Sequence, residues 1–475
     1  MDNIKKKFLI SVKWTSILKI GQSILQFATS IVLARLISPD EFGRFVCILA
    51  LIEGLALITG FGINTSILQN QKYPENEFQN TGFSLSIFLV ITFCLVAGSL
   101  GFWLASENIL FYLTILFGKC VFMLSGVHGI LLQKEHRFKV YFGIEFIVFI
   151  ISSVVAIILA IKGYELTALI AQYVTLQVLT STLVISFSSF RPTLHHFFNK
   201  DYALVFYKNG RELFASQMVE KLLVNVDKIV INNFLGPANL AFYNRAISLP
   251  QRFQSLPITI LQPLLTVTFA KLQSDKESSG YLFNTAVWLL LRTSLFITLV
   301  IVCASEEVVL ILYGDTWLFA AHIIPLIFVF VALWPIRTLS RNFLLSSGYF
   351  TKLRKIQFVE LFLFLGFMLP GGYYWEIEGV SIGISAWILA AVAIYMGNIR
   401  MIITLEWRRL FLLPLALSIT ILSLNHVVGE YLSLFNINIY STALINSILV
   451  LFIYAFGLVV FERKHIKMMT KQIIS

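Results

Sequence analysis

Long apolar stretches alternate with short polar connections along the whole chain. Most stretches reach about 20 residues, the length that a helix needs to cross a bilayer, and none shows the alternation of a barrel strand. We therefore predict fourteen spans, at residues 14–35, 42–64, 82–105, 109–131, 140–161, 164–187, 210–235, 239–268, 282–304, 318–340, 356–374, 379–400, 410–428 and 440–461. The predicted fold class is an all-α integral membrane protein.

The longest polar connection follows the sixth span and indicates how the spans are grouped. We predict an N-terminal six-helix bundle at residues 1–187, a cytoplasmic linker at 188–209, a C-terminal six-helix bundle at 210–400, and a terminal helix pair with a cytoplasmic tail at 401–475. The two bundles are predicted to be parallel pseudo-repeats.

A faint internal repeat relates the two predicted bundles. The segment SPDEFGRF at residues 38–45 resembles GPANLAFY at residues 236–243, and in both a proline follows a small residue. Proline fits the first turn of a helix, so each segment should end one span and begin the next. Both segments fall on the outer side of the predicted topology, as parallel repeats about an axis along the membrane normal require.

The seventh and eighth predicted spans each carry a stripe of polar side chains. The first stripe is Gln217, Lys221, Asn225, Lys228 and Asn232, with Glu220 and Asp227 beside it, and the second is Arg245, Ser248, Arg252, Ser255, Thr259, Gln262 and Thr266. Steps of three and four residues put each stripe on one side of a helix. A charge at the bilayer centre costs roughly 2.5–3.5 kcal/mol, so the stripes should face a water-filled cavity or other helices.

Two interpretations of these stripes stay open. The Ser, Thr, Asn and Gln members are equally consistent with hydrogen bonds between helices and with a cavity lining. For the four cations of the stripes we favour the cavity, because only Glu220 and Asp227 lie nearby in the sequence to neutralise them.

Polar residues of other spans extend the candidate cavity. They are Lys19, Gln22 and Gln26 in the first span, Lys119 in the fourth and Arg292 in the ninth. We predict that spans one, two, seven and eight face one another across a central cavity. For Lys119 and Arg292, a structural ion pair is an equal alternative.

Buried acids are the candidates for energy coupling. Glu53, Glu220 and Asp227 could bind a proton or a sodium ion, and each could equally be the counter-ion of a neighbouring cation. Glu145, Arg337 and Glu360 lie near the inner ends of their spans, and we expect all three to reach the membrane interface.

Composition and charge support this topology. The chain is 58% hydrophobic and 13% charged, far more apolar than an average soluble protein. Its cations gather in alternate loops, and only Arg35, Arg44 and Lys162 fall in loops of the opposite side. By the positive-inside rule we predict cytoplasmic N- and C-termini, and the net charge of +11 needs no nucleic-acid partner to explain it.

We expect no cofactor and no metal. The four cysteines are Cys47, Cys94, Cys120 and Cys303. All lie in apolar segments without a CxxC pair or a histidine at metal spacing, so we expect neither a disulfide nor a metal site. The adjacent His195 and His196 are expected to be solvated in a basic loop. No Walker motif is present, which argues against direct use of ATP.

Two segments resemble a known family. They are LARLISPDEFG at residues 33–43, and NVDKIV at residues 225–230 followed by Leu235, Gly236, Tyr243 and Ala246. Together with the fourteen spans, they make the chain similar to the polysaccharide transporter branch of the multidrug/oligosaccharidyl-lipid/polysaccharide exporter superfamily. The chain departs from the family pattern in carrying Lys228 directly after Asp227.

The resemblance implies a flippase that moves a polyprenyl-diphosphate-linked oligosaccharide, an O-antigen or exopolysaccharide repeat unit, across the bacterial cytoplasmic membrane by alternating access. It implies membrane lipids, a polysaccharide polymerase and chain-length proteins as partners. Cations suit phosphate, and Arg offers two directed hydrogen bonds. We therefore expect Lys221, Arg252 and Arg292 to hold the diphosphate, and the hydroxyl and amide side chains of the stripes to contact sugar.

Two alternative functions stay open, an antiporter of the same superfamily and a membrane enzyme, which belongs to another class. A cation-coupled antiporter of a soluble drug or metabolite is expected to have an acidic cavity, whereas here cations outnumber acids within the spans. A membrane enzyme, such as a polymerase or a glycosyltransferase, should display a sizeable loop with catalytic acids or bases. The predicted outer loops are short and hold scattered acids, so we predict no enzymatic activity.

Overall fold

The protein is all-helical throughout the residues that the structure, a computed structural model, describes: 2–56, 62–69, 72–104, 108–135, 137–193, 198–273, 275–433 and 438–474. Helices suit a chain in lipid, because they pair backbone N–H and C=O groups within the segment. The first ten are α1 Asp2–Leu36, α2 Pro39–Leu55, α3 Ile63–Gln69, α4 Glu75–Leu104, α5 Ile109–Leu124, α6 Gly126–Lys134, α7 Phe138–Ile161, α8 Glu165–Phe187, α9 Lys200–Leu235 and α10 Pro237–Lys271.

Seven further α-helices follow α10 among the described residues, besides a 3-10 turn at Asp315–Trp317 and a π-helical turn at Arg408–Leu412. They are α11 Lys276–Cys303, α12 Ser305–Tyr313, α13 Leu318–Leu326, α14 Phe328–Ser346, α15 Phe350–Ile399, α16 Leu413–Ser433 and α17 Ile439–Ile474. Ten helical segments among the described residues are long and apolar enough to cross a membrane. The chain is therefore a multi-pass membrane protein.

Several predicted spans differ in detail from the helices. Span 318–340 is divided, because α13 ends at Leu326, just after Pro325, and α14 begins at Phe328. Proline lacks a backbone N–H and clashes with the preceding turn, which favours an interruption nearby. Span 109–131 is divided at Ser125 between α5 and α6.

Some of the predictions fall outside the described residues. Residues 57–61 belong to the predicted span 42–64, whose described part is α2 and the first residues of α3. Residues 194–197, with His195 and His196, belong to the predicted linker.

Helix α15 covers two predicted spans and folds back on itself between them. Trp375 and Glu376 have non-helical backbone angles, with a φ of +49° at Glu376. Gly371 before this turn and Gly379 after it let the two halves approach closely: a Cβ on Gly371 would lie 2.3 Å from the Gly379 carbonyl oxygen. Close approach through small residues is typical of helices packed in membranes. Thus α15 is an antiparallel helical hairpin.

The chain forms two compact units, Met1–Ala241 and Phe242–Ser475. In the first unit, α2 packs against α5, α8 and α9. Its core includes Ile52, Phe93 and Ile115, and the buried Tyr112 hydroxyl donates to the Ala97 carbonyl oxygen at 2.9 Å. The hydrogen bond satisfies the one polar atom that this aromatic side chain buries.

The two segments that resemble each other in sequence contact each other in the first unit. A Cβ on Gly43 of α2 would lie 1.7 Å from the carbonyl oxygen of Pro237, the first residue of α10. Farther along α2, Gly54 lies 4.0 Å from the Asn225 side chain of α9 by the same measure. Helices α2 and α9 therefore run antiparallel and in close contact, which brings their polar residues together.

In the second unit, α11 packs against α14, α16 and α17, while α14 packs against α15. Aromatic rings fill much of the space between these helices. Phe283 and Phe343 lie 5.0 Å apart between ring centroids, and Phe364 meets Trp387 at 4.9 Å inside the α15 hairpin. The Trp387 ring also lies 6.2 Å from that of Phe330 on α14, so aromatic contacts connect α11, α14 and α15.

Candidate substrate-binding clusters

One charged group in the first unit comes from four helices. We call it the Glu53 cluster, and it consists of Glu53 of α2, Lys119 of α5, Tyr173 of α8 and Lys221 of α9. Lys119 Nζ lies 2.5 Å from Glu53 Oε1, and Lys221 Nζ lies 3.7 Å from Glu53 Oε2. The Tyr173 hydroxyl donates to Glu53 Oε1 at 3.4 Å. One carboxylate thus serves three donors.

The Glu53 cluster carries more positive than negative charge. Two ammonium groups share a single carboxylate, so one cation is in excess. The side chain of Lys119 is 12% exposed and that of Glu53 24%, whereas that of Lys221 is 47% exposed. Lys221 is therefore the member that a ligand can reach, and an incoming anion would meet an unbalanced positive charge there.

Residues around Lys221 on α9 have mixed surroundings. Asn225 is 6% exposed and donates to the Lys221 carbonyl oxygen at 2.9 Å. The Lys228 ammonium donates to the Val224 carbonyl oxygen at 2.8 Å, and the Lys228 backbone N–H donates to Asp227 Oδ1 at 2.8 Å. The Lys228 ammonium thus bonds to backbone. Glu220, the other candidate for a coupling ion, is half-buried.

The three residues of α1 predicted to line the cavity are not part of the Glu53 cluster. Lys19 Nζ lies 3.4 Å from Glu145 Oε2 and 4.6 Å from the ring centroid of Phe142, both on α7. Gln22 is half-buried and Gln26 is exposed. Lys19 therefore belongs to the contact between α1 and α7.

The second unit holds a different cationic group on α10. We call it the Arg245 cluster: Arg245, Arg252, Tyr313 and Trp317. The Arg245 guanidinium carbon lies 5.1 Å from the ring centroids of both Tyr313 and Trp317, and Arg245 is 3% exposed. Arg252 is half-buried and close enough to Arg245 and Tyr313 for electrostatic interaction. Aromatic faces stabilise a buried cation without neutralising its charge.

Arg292 lies in a closed ion pair in the second unit. Its guanidinium binds the Glu462 carboxylate, with Nη2 to Oε1 at 2.5 Å, and also donates to the carbonyl oxygens of Arg409 and Leu410 at 2.8 Å. Trp288 donates to the same carboxylate at 2.8 Å. Of the two alternatives for Arg292, these contacts are those of a structural pair that joins α11 to α17 and to the turn that precedes α16.

Sequence reasoning missed this role for Glu462 and misjudged another pair. Glu462 directly follows the last predicted span, and its position gave no sign of a partner on α11. Arg337 and Glu360 were expected to reach the interface, and this is wrong: both are 0% exposed and pair with each other. The Tyr395 hydroxyl donates to Glu360 Oε2 at 3.3 Å. Such pairing removes the need for either charge to reach water.

Among the described residues, no group of three or more His, Cys, Asp or Glu side chains could hold a metal ion. The fold and its intramembrane charges define a polytopic helical membrane protein with cationic sites.

Comparison with known sequences supplies the family. Residues 32–322, more than half of the chain, match the family of polysaccharide biosynthesis proteins, and the chain belongs to that family. The resemblance inferred from the sequence is thereby confirmed.

Relatives in several bacteria are about a quarter identical to this chain over the aligned residues. The succinoglycan biosynthesis transport protein ExoT of Rhizobium meliloti is 25% identical over 67% of this chain and 65% of its own length, just under two thirds. The teichuronic acid biosynthesis protein TuaB of Bacillus subtilis is 25% identical over 73% of each chain. The lipopolysaccharide biosynthesis protein WzxC of Escherichia coli is 24% identical over 90% of this chain and 88% of its own.

Solved structures share the fold. The lipid II flippase MurJ, in an inward closed conformation, superposes with a TM-score of 0.67 at 17% identity, covering 95% of this chain and 99% of its own. An inward-facing multidrug resistance MATE family transporter of the MOP superfamily gives a TM-score of 0.61 at 16% identity, covering 81% and 97%. At these identities the likeness concerns the fold alone.

Proposed function

We propose that this protein is a flippase that moves a polyprenyl-diphosphate-linked oligosaccharide, the repeat unit of an O-antigen or exopolysaccharide, across the bacterial cytoplasmic membrane. Its family and its relatives support this function, since three of them are named for succinoglycan, teichuronic acid and lipopolysaccharide biosynthesis. One protein of the same fold is named a lipid II flippase. Of these proteins, ExoT is named a transport protein and MurJ a flippase, and transport of an anionic substrate fits the cationic sites inside this helical membrane protein.

The observation that carries the proposal is the surplus cation of the Glu53 cluster. A diphosphate head group must cross about 30 Å of hydrocarbon, where an uncompensated anion is costly. The half-exposed Lys221 offers that compensation, because Glu53 already has the better-buried Lys119 within 2.5 Å. An arriving phosphate would compete with Glu53 for Lys221 and leave the Lys119–Glu53 pair intact.

The Arg245 cluster is our second candidate contact for anionic substrate. Arg252 is only half-buried on the polar stripe of α10, whereas Arg245 is enclosed by two aromatic rings. We assign the directed phosphate contact to Arg252 and a supporting electrostatic role to Arg245. Arg292 is left out of this assignment, because its donors are occupied by Glu462 and two carbonyl oxygens.

The remaining polar residues receive weaker roles. The hydroxyl and amide side chains of the stripes, among them Gln262 and Thr266, are proposed to contact sugar. Both line a small cleft with Thr338 and Asn342 of α14, which offers several hydrogen-bonding groups beside apolar walls. Lys228, Gln22 and Gln26 stay candidate cavity residues, and Glu53, Glu220 and Asp227 stay candidates for a coupling proton or sodium ion.

We further propose the complete topology of fourteen spans with both termini in the cytoplasm. The ten apolar segments would be joined by α2, α9 and α10, which carry the charged stripes and Glu53, and the α15 hairpin would cross twice. The grouping into bundles at 1–187 and 210–400, a linker at 188–209 and a terminal pair at 401–475 belongs to the same proposal. A polysaccharide polymerase and chain-length proteins are the proposed partners.

The test is leaflet exposure of a fluorescent polyprenyl-diphosphate oligosaccharide in vesicles that contain the purified full-length protein. We expect protein-dependent exposure that Lys221→Ala or Arg252→Ala lowers at least about tenfold, a loss of about 1.4 kcal/mol of interaction. Lys162→Ala is the matched control, because Lys162 is an exposed lysine at the end of α7.

The outcomes separate the function from the site. No exposure by the wild-type protein, under proton and sodium gradients alike, would refute the flippase and favour an antiporter of a soluble solute. Normal exposure by folded Lys221→Ala and Arg252→Ala proteins would refute the site while keeping the flippase.

A further inference from the structure

A cleft at one end of the α15 hairpin shares no lining residue with either cationic cluster. It opens between the beginning and the end of α15, at the end opposite the turn at Trp375, and has a volume of about 440 Å³. Lys352 donates across it to the Asn398 carbonyl oxygen at 3.5 Å. This volume lies within the range of about 300–1,000 Å³ found for ligand clefts.

The lining of the cleft is polar at one end and apolar at the other. Its polar side chains are Thr351, Lys352, Lys355 and Asn398, and its apolar ones include Val359 and Ile394. Val359 is 49% exposed, and Phe362, one turn farther along α15, is 74% exposed. The apolar side thus continues onto a surface that faces lipid, because large apolar side chains are exposed there on a membrane-spanning hairpin.

The charge around the cleft has one sign. Lys352 and Lys355 line it, and Arg354 and Arg400 are exposed at the same end of the hairpin. The sequence holds no Asp or Glu from residue 342 to 359 or from 379 to 405. Glu360, the next acid along the chain, is fully buried in its pair with Arg337 and contributes no countercharge at the cleft.

We propose that this cleft binds an anionic phospholipid of the membrane, with the phosphate on Lys352 and Lys355 and an acyl chain along Val359 and Phe362. A lipid matches the cleft because a single molecule then supplies the anion for the lysines and the hydrocarbon for the exposed apolar track. Basic pockets between membrane helices are known to take such head groups. Thr351 and the Asn398 amide are positioned to hydrogen-bond phosphate or glycerol oxygens.

The site is independent of the transported substrate. Its lining residues belong to α15, and none of them belongs to the Glu53 or Arg245 cluster. Its occupant would hold the two ends of the α15 hairpin together. The lipid site can therefore be tested independently of the flippase function.

The test measures thermal unfolding of the purified full-length protein in neutral detergent with added lipid. Dioleoyl phosphatidylglycerol should raise the Tm of the wild type, whereas dioleoyl phosphatidylcholine and inorganic phosphate should not, since a ligand that binds only the folded state stabilises it. In the double variant Lys352→Gln/Lys355→Gln, the affinity for phosphatidylglycerol should fall about 25-fold, because each lysine near an anionic head group contributes about a factor of five.

The matched control is Lys271→Gln/Lys276→Gln, which removes two exposed lysines at the ends of other helices. It should keep the wild-type response to phosphatidylglycerol. Equal stabilisation by phosphatidylcholine, stabilisation by phosphate alone, or an equal loss in the control would each overturn the site.

A measurement on the wild type guards against a variant that fails to fold. Binding of phosphatidylglycerol, followed by native mass spectrometry, should weaken as salt rises, because the contact is ionic and accessible. Salt-independent retention of phosphatidylglycerol would overturn the assignment to Lys352 and Lys355.

Discussion

The intramembrane charges of this protein are arranged in two ways, as closed ion pairs and as an open cluster. In the second unit, Arg292–Glu462 and Arg337–Glu360 are closed pairs of one cation and one anion, with exposed side-chain fractions of at most 8%. In the Glu53 cluster of the first unit, one carboxylate is shared by two cations, of which Lys221 is 47% exposed. Closed pairs hold helices together, whereas we propose that the open Glu53 cluster, with its surplus cation, binds an anionic ligand.

Substitutions of the four paired cations should differ in how much they lower the free energy of unfolding. Removing one partner of a buried ion pair costs about 3–5 kcal/mol, while exposed pairs contribute about 0–1 kcal/mol. Exposure of the cation rises from Arg337 through Arg292 and Lys119 to Lys221. The loss of stability should fall in the same order, and the loss of transport should not follow it.

Arg337→Leu should have the largest effect on stability. The substitution leaves the fully buried Glu360 without its cation, and we expect a loss of about 3–5 kcal/mol in the free energy of unfolding. Unfolding of the purified protein, followed by tryptophan fluorescence, measures it. Combining Arg337→Leu with Glu360→Leu should recover much of the loss, and an unchanged Tm in the single variant would contradict the closed-pair interpretation.

Arg292→Leu should cost about 3 kcal/mol, because Glu462 and two carbonyl oxygens lose their donor. Glu462→Gln, measured in the same unfolding experiment, should reproduce part of this loss. Transport per folded molecule should stay near the wild-type value. If the variant has normal stability but no longer transports, the structural role is wrong and Arg292 contacts the substrate.

Lys119→Ala should be intermediate, with a loss of about 2 kcal/mol, since its side chain is mostly buried against Glu53 but the cluster is partly open. The remaining Lys221 would become the counter-ion of Glu53, so transport should fall as well. Adding Glu53→Gln should restore stability more than transport. Restoration of both would mean that the Glu53 cluster is a structural pair like the others.

Lys221→Ala should change stability least, by less than about 1 kcal/mol, because the ion pair is long and exposed. Its transport, measured by the leaflet assay, should nevertheless fall at least about tenfold. A marked drop in Tm, with a loss of transport no greater than the loss of folded protein, would make Lys221 a structural charge. The two kinds of cluster would then no longer differ.

Much of the fold follows from local pattern. Apolar length predicted a multi-pass helical protein, and the polar connection between residues 374 and 379 coincides with the turn of the α15 hairpin at Trp375 and Glu376. Periodicity also placed Lys221 and Asn225 on one side of α9. These are properties of a single helix, which the order of its residues determines.

The pairing of charges could not be obtained in this way. Glu53 meets Lys119 from 66 positions away, and Arg292 meets Glu462 from 170. Arg337 and Glu360 appeared to lie close enough to the ends of their spans to reach water, yet the packing of α14 against α15 encloses both.

The sequence by itself determined that this chain is a bundle of membrane helices with cations inside, and that it resembles polysaccharide transporters. Only the tertiary structure decided which of those cations are neutralised and which, like Lys221, keep a partly open side. The reason is physical: helix periodicity acts over a few residues, whereas an ion pair forms wherever packing brings two helices within reach, whatever their separation along the chain.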